Sequence, residues 1–203
     1  MRYPKLRELK YAITALIKGP YTSKFPLKPH TPYERFRGKP EFNKDYCIGC
    51  TACAQVCPAG AIEFKDKIEN GKATRTLIIN WDICICCGQC QANCPPLKGI
   101  VLSNEFDLAT TEARGGLKQQ IEKELEICSC CGEIIAPHDQ IVWVAKRLGP
   151  LTFANASLML FYLKNIGLSL KEIFTHFDET ELKRSDRIKV LCPRCRRQAV
   201  IKS

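Results

Sequence analysis

The sequence predicts an α+β fold built on a duplicated cysteine-rich unit, with an amphipathic helix and arm before it and a helix-containing cysteine module after it. The duplication appears when residues 45–58 are laid over residues 82–95, because the cysteines and the closing Cys-Pro pair coincide. Apolar residues at near-helical spacing indicate helices on both sides of the repeat, over 5–18 and 153–165. The expected segments are 1–44, 45–104 and 105–203.

The first segment combines a predicted helix with a proline-rich arm. Apolar residues line one face of the helix, and most of the other positions are charged or polar. Gly19-Pro20 ends the helix, and prolines recur from there to Pro40, which favours an extended arm. We interpret this segment as a tether or a docking strap, whose helix either lies on an anionic membrane surface or docks on a neighbouring protein, with protein docking close to the membrane favoured. The apolar positions are Leu6, Leu9, Ile13, Leu16 and Ile17.

Short strands are predicted inside and beside the repeat. Each half ends in a strand-like run, 61–64 in the first and 99–102 in the second. Between the halves, Asn70-Gly71 is a two-residue hairpin signal, with 77–79 in the returning strand.

The third segment is predicted to mix helices with short strands. A charged helix is expected over 116–126, and irregular or strand-like structure over 134–143. A second helix over 169–177, capped by its first serine, is expected after the one at 153–165. A short apolar strand over 188–191 leads into the last cysteine pair.

Composition favours a folded protein that holds metal. The 203 residues include 14 cysteines, with 45% hydrophobic and 26% charged residues, as in packed globular proteins. Charges interrupt residues 1–20 before an apolar run reaches signal-peptide length, and the uncharged stretch over 148–163 is too short and polar to span a bilayer. In a reducing cytosol, so many cysteines indicate metal ligands and not disulfides.

Two cysteine runs carry the most specific motif in the chain. Both follow the spacing Cys-x2-Cys-x2-Cys-x3-Cys-Pro, from Cys47 to Pro58 and from Cys84 to Pro95. This spacing is typical of two-cluster ferredoxins, in which three close cysteines bind one 4Fe-4S cluster and the fourth reaches the other cluster. A pair of structural zinc sites is the alternative, and it accounts for the spacing less well.

The same rule assigns the ligands of both clusters. One cluster is expected to be bound by Cys47, Cys50, Cys53 and Cys94, and the other by Cys84, Cys87, Cys90 and Cys57. Because each run contributes one cysteine ligand to the other cluster, the two clusters are expected to lie close together. Cys86 does not fit the spacing and is interpreted as a spectator thiol.

A third set of cysteines forms two Cys-x2-Cys knuckles. These four residues are Cys128, Cys131, Cys192 and Cys195. Four thiolates predict a tetrahedral zinc site, with a mononuclear iron of the rubredoxin type as the alternative for the same ligands. Cys130 is expected to be a bystander, and its use in place of Cys128 is the open alternative.

The excess positive charge is concentrated in the first segment. Of the formal net charge of +10, residues 1–44 carry +8, residues 45–102 carry zero and residues 103–203 carry +2. This distribution favours docking by the arm and argues against nucleic acid as a partner. No catalytic constellation or phosphate loop is apparent, so no bond chemistry is predicted for the chain itself.

The order of the parts resembles a known family. The arm over Tyr33–Glu41, the start of the first run and the residues from Cys192 to Gln198 are similar to the two-cluster ferredoxin-like subunit of formate hydrogenlyase, its subunit 6. The ferredoxin part is also similar to chain I of complex I, which shares the arm and lacks the C-terminal four-cysteine module. The four C-terminal cysteines therefore favour the hydrogenase branch.

This resemblance implies an electron-transfer subunit of a membrane-bound group 4 NiFe hydrogenase, peripheral on the cytoplasmic face of the cell membrane. Electrons would come from an upstream donor subunit or ferredoxin and leave to the hydrogenase small subunit and the NiFe centre of the large subunit, with membrane-embedded subunits beneath. The alternatives are a complex I-like subunit of another membrane oxidoreductase and a free two-cluster ferredoxin.

Overall fold

A computed structural model describes residues 5–20, 22–69, 71–111, 113–168 and 189–201. The chain forms two compact units, Met1–Phe36 and Arg37–Ser203. The helix expected over 169–177 and the first residue of the strand expected over 188–191 lie outside the described residues. Within the described part of the chain, every helix is too short or too polar to cross a membrane.

The first unit contains helix α1, Leu6–Lys18. Its beginning is capped by the Glu8 carboxylate, which accepts a hydrogen bond of 3.0 Å from the Lys5 amide. Its end is closed by Gly19, whose φ of 75° is a conformation that glycine adopts without strain. None of the α1 side chains is buried within the described structure, and Leu6, Leu16 and Ile17 are at least 80% exposed.

The described residues of the second unit form two antiparallel sheets and several short helices. One sheet pairs β1 (Pro40–Phe42) with β4 (Ile100–Leu102). The other sheet has the order β2-β3-β5-β6. Its strands are β2 (Ile62–Glu69), β3 (Lys72–Asn80), β5 (Lys118–Ile127) and β6 (Ile134–Pro137). Helices α2 (Ala52–Gln55) and α3 (Gln89–Ala92) each follow the first cysteines of a run.

The two halves of the repeat are interlocked. The strand that begins each half pairs with the strand that ends the other half, so β1 pairs with β4 and β3 pairs with β2. Single hydrogen bonds extend both pairings, from the Asn43 amide to the Gly99 carbonyl at 3.1 Å and from the Asn80 amide to the Ala61 carbonyl at 2.8 Å. The predicted β2–β3 hairpin is confirmed, with Glu69 paired to Lys72.

The repeat extends to backbone conformation. Left-handed φ angles occur at three matched positions, where one half has glycine and the other half has a larger residue. The pairs are Gly49 and Cys86, Gly88 and Thr51, and Gly60 and Leu97. The two cysteine runs therefore follow the same path, and the motif geometry overrides the ordinary preference of three non-glycine residues.

The helix predicted over 116–126 is wrong, because this segment forms strand β5. Its two buried residues, Ile121 and Leu125, are four positions apart, a spacing that fits one face of a helix and also one face of a strand. Pairing of β5 with β3 from Lys118 to Leu125 decides the outcome. The four-stranded sheet therefore joins strands from both sides of residue 104, where the sequence suggested a boundary between segments.

The remaining elements surround the last cysteines. Helix α4 (His138–Leu148) begins inside the segment expected to be irregular or strand-like, so that expectation holds only for β6. Helix α5 (Ala156–Asn165) follows a 3-10 turn over Gly149–Ala154 and covers most of the predicted 153–165 helix. Residues 189–191 are not a strand, and they lead directly into helix α6, Pro193–Ile201.

The arm that precedes β1 is held tightly against the chain that follows β4. The Gly38 amide donates to the Ser103 carbonyl at 3.0 Å, and the next amide, of Lys39, donates to the Glu105 carbonyl at 3.0 Å. A side chain at Gly38 has no room, because its Cβ would lie 2.6 Å from the Ser103 carbonyl oxygen and closer still to that of Glu105. The glycine is therefore required by close backbone approach.

We expect Gly38→Ala to lower the free energy of unfolding of the metal-loaded protein by about 1–3 kcal/mol, since two backbone segments must separate to admit the methyl group. Urea denaturation followed by tryptophan fluorescence measures this change. Gly115→Ala is the matched control, because a Cβ there meets no atom within 4 Å, and its effect should stay below about 0.5 kcal/mol. Equal stability of the two variants would contradict the close backbone approach at Gly38.

Candidate metal centres

The first group of cysteines surrounds one small cavity in the second unit. Four predicted ligands of one cluster, Cys47, Cys50, Cys53 and Cys94, line it together with residues of β3 and β4. Three of these cysteines come from the first run, and Cys94 comes from the second run. The interlocked strands bring Cys94 across, because they place the end of the second half beside the start of the first.

The second group surrounds another small cavity. Its lining includes the four predicted ligands Cys57, Cys84, Cys87 and Cys90. Here Cys57 is the residue contributed by the other run. Cys86 also lies in the wall of this cavity. The cysteine spacing did not predict this position, and Cys86 was interpreted from the sequence as a spectator thiol.

Four of the eight thiols in these two groups are embedded in the hydrophobic core. Cys47, Cys53, Cys90 and Cys94 are buried beside apolar residues of all the strands except β6. Burial raises the pKa of Cys53 to about 12 and that of Cys90 to about 11, because a thiolate in apolar surroundings loses its hydration. These thiolates therefore need a positive partner within the cavity, and an iron–sulfur cluster with four thiolate ligands fits this donor set.

Backbone amides point at two of the sulfurs. The Ala61 amide donates to Cys57 Sγ at 3.2 Å, and the Cys86 amide donates to Cys84 Sγ at 3.4 Å. Hydrogen bonds of this kind stabilise negative charge on a ligating sulfur and influence the reduction potential of a bound cluster.

The loop of the first group is fixed by a cation from strand β3. The Arg75 guanidinium donates to the Gly49 carbonyl at 3.0 Å and makes two hydrogen bonds of 2.7 Å to the Asp66 carboxylate. Arg75 is 12% exposed, so its geometry is set by a bidentate ion pair within the protein. A Cβ added at Gly49 would also meet Pro137 of β6 and the side chain of Lys123 of β5, which is the direct cross-strand partner of Arg75. Sequence reasoning did not identify Arg75 or Lys123.

The third group brings together the four cysteines of the two knuckles. The sulfurs of Cys128, Cys131, Cys192 and Cys195 all lie within 4.8 Å of one another. Sulfurs around a tetrahedral zinc ion at Zn–S distances near 2.3 Å are roughly 3.8 Å apart, so the donor set fits such an ion. Cys131 Sγ and Cys192 Sγ are 3.6 Å apart. Cys130 is exposed and is not part of this group.

Elements of the C-terminal part hold the knuckles in position. Cys128 follows strand β5, and Cys192 precedes helix α6. The Cys192 amide donates to Cys128 Sγ at 3.3 Å, which joins the two knuckles. Burial opposes ionisation of Cys128, but several backbone amides around its sulfur outweigh this effect and lower its pKa to about 7.

Helix α5 supports the second knuckle through its first turn. The Ser157 hydroxyl donates to the Lys189 carbonyl at 2.9 Å and accepts a hydrogen bond from the Leu191 amide at 3.2 Å. Asn155, the N-cap of α5, accepts from the Arg196 guanidinium of α6 at 2.7 Å. These contacts fix the chain on both sides of Cys192.

Comparison with protein families identifies a 4Fe-4S dicluster domain over residues 46–97. Formate hydrogenlyase subunit 6 of Escherichia coli (strain K12) is 31% identical over 132 residues, which cover 64% of this chain and 70% of that protein. NADH-quinone oxidoreductase subunit I 2 of Geobacter metallireducens is 32% identical over 115 residues, which cover 54% of this chain and 87% of that protein.

Two further matches are shorter or structurally weaker. NAD(P)H-quinone oxidoreductase subunit I of Gloeobacter violaceus is 31% identical over 95 residues, and this match spans 45% of each protein. Among solved structures, a chain of the membrane-bound sulfane sulfur reductase, an archaeal respiratory membrane complex, is 28% identical. That match has a TM-score of 0.39 and covers 56% of this chain and 60% of the other.

Proposed function

The chain belongs to the family of two-cluster iron–sulfur subunits that includes formate hydrogenlyase subunit 6 and subunit I of NADH-quinone oxidoreductase, and on this basis we propose that it relays electrons inside a membrane-bound oxidoreductase complex. The observation that carries the proposal is the pair of four-cysteine cavities, each completed by a cysteine from the other run. Such pairing keeps two redox centres close together in one core.

The proposed ligands follow the two cavities. One 4Fe-4S cluster would be bound by Cys47, Cys50, Cys53 and Cys94, and the other by Cys84, Cys87, Cys90 and Cys57. When bound, the clusters supply one-electron exchange at low potential. The protein contributes thiolate ligands, amide donors to sulfur and an apolar core that limits access of water.

Within this family, we favour a formate hydrogenlyase type of complex with a group 4 NiFe hydrogenase. The third cysteine group supports this choice, since the resemblance to that hydrogenase branch includes the C-terminal knuckles. The partners would be the hydrogenase small and large subunits, membrane-embedded subunits, and an upstream donor subunit or ferredoxin. The chain would then sit peripherally on the cytoplasmic face of the membrane, and a complex I-like assembly is the alternative.

Metal analysis and EPR of the dithionite-reduced protein test the relay proposal. We expect about eight iron atoms per chain, in two interacting 4Fe-4S centres, as the two ligand sets require. Purification through a tag on this chain should also recover hydrogenase subunits from membranes. Four iron atoms or fewer, or a soluble monomer alone with eight, would contradict the proposed relay within a membrane complex.

Helix α1 is the proposed docking element of the first unit. Its apolar residues Leu6, Leu9, Ile13, Leu16 and Ile17 are all exposed in the described structure. The helix also belongs to the part of the chain that carries most of the excess positive charge. An apolar face with basic neighbours suits a groove on an adjacent subunit close to an anionic membrane surface.

Placing two carboxylates on this face should release the chain from its complex. We expect the double substitution Leu9→Asp and Ile13→Asp to reduce the amount recovered with membranes at least about tenfold, because two apolar side chains that the proposed docking would bury would become charged. Quantitative immunoblotting of membrane and soluble fractions measures this. Thr14→Asp adds one carboxylate at a neighbouring position of the same helix and should leave recovery nearly unchanged; equal recovery of all variants would reject docking by α1.

For the third group, we propose a single structural zinc ion, with mononuclear iron as the alternative. The close approach of four sulfurs, joined by the amide of Cys192, supports a tetrahedral ion. It would tie the end of β5 to the start of α6, two elements that are distant in sequence.

Single substitutions test which cysteines in this part of the chain bind the ion. Cys131→Ser should remove about one zinc per chain, because three thiolates remain for the ion, whereas Cys130→Ser should retain the metal. Mass spectrometry of metals in both purified variants decides the outcome. Loss of zinc in Cys130→Ser would overturn the interpretation of Cys130 as a bystander, and about nine iron atoms without zinc in the native protein would favour mononuclear iron.

A further inference from the structure

Lys123 is a largely buried cation that comes from outside the dicluster domain. It lies on strand β5, and its side chain is 11% exposed. Its ammonium donates to the Lys44 carbonyl at 2.6 Å and to the Asp139 carboxylate of helix α4 at 2.8 Å. Three separate elements thereby fix its position.

The ammonium is held beside the loop of the first cysteine group. Lys44 belongs to a turn in which the Cys47 amide donates to the Asn43 carbonyl at 2.9 Å. The stem of Lys123 runs along the same loop, since a Cβ added at Gly49 would lie 3.3 Å from its Cβ. The carbonyl that receives the Lys123 ammonium therefore lies in the turn that leads into Cys47.

The second cysteine group has a different cation beside it. The Arg37 guanidinium donates to the Cys87 carbonyl at 3.0 Å, but Arg37 is exposed to solvent. Water and salt screen an exposed charge much more than a largely buried one. The first group therefore experiences a cation that solvent screens less.

We propose that Lys123 raises the reduction potential of the centre held by Cys47, Cys50, Cys53 and Cys94, so that a residue outside the dicluster domain makes the two centres unequal. This inference rests on the proposed function, because it takes these cysteines as cluster ligands. Reduction adds one electron from an external one-electron donor and transfers no proton. A fixed ammonium nearby lowers the free energy of the added negative charge.

Asp139 limits the effect of Lys123. Its carboxylate is 47% exposed and is paired with the ammonium, so it cancels part of the positive field at the loop. Removing the carboxylate charge should therefore act in the opposite direction to removing the ammonium. A role of the ion pair in structure alone does not predict opposite shifts.

Redox titration monitored by EPR tests this inference in the native protein and in Lys123→Gln, Asp139→Asn and Lys118→Gln. Lys118 is the control, because it is an exposed lysine of the same strand. At the native midpoint potential, Lys123→Gln should lower the reduced-to-oxidised ratio of the first centre at least about threefold. Asp139→Asn should raise that ratio, and Lys118→Gln should leave it unchanged.

The second centre serves as an internal reference, with signals assigned by Cys50→Ser and Cys87→Ser. Its ratio should change much less than that of the first centre in every lysine and aspartate variant. Shifts of the same sign in Lys123→Gln and Asp139→Asn, or no shift in either, would overturn the inference and leave the relay proposal intact. Absence of two 4Fe-4S centres from the native protein would instead reject the proposed function.

Discussion

The antiparallel pairing between the beginning of each repeat and the end of the other is the constraint on which the rest of the structure depends. The β1–β4 and β2–β3 ladders bring the last cysteine of each run to the cavity of the opposite run. A slip of either ladder by one residue would turn alternate side chains to the other face of the sheet. Buried residues such as Leu77, Ile79 and Ile100 would then leave the core that encloses both cavities.

The same sheet connects the dicluster domain to the C-terminal part of the chain. Strand β5 pairs with β3 along one edge and with β6 along the other, and it ends immediately before Cys128. Gln119 of β5 also hydrogen-bonds both backbone groups of Phe42, so it joins the sheet to strand β1. The C-terminal part thus supplies more than a metal site, because it packs against the loop of the first cysteine group at Gly49.

Sequence reasoning succeeded where a short motif determines local geometry. The spacing of the cysteine runs predicted which four thiols share each cavity, while their role as ligands stays a prediction. The prediction for β5 was wrong, because buried residues four positions apart suit both a helix and a strand. Only the pairing of this segment with β3 distinguishes the two structures. The contacts of Arg75 and Lys123 were unpredictable for the same reason, because they depend on which strands are neighbours.

The exchange of one cysteine between the two runs is tested most directly by the EPR spectrum of reduced Cys57→Ser. Because Cys57 lines the cavity of Cys84, Cys87 and Cys90, the variant should lose or alter the second centre and keep the first. Cys94→Ser is the reciprocal variant and should affect the first centre. If Cys57→Ser instead removed the centre of its own run and left the second unchanged, the interlocked arrangement would be contradicted.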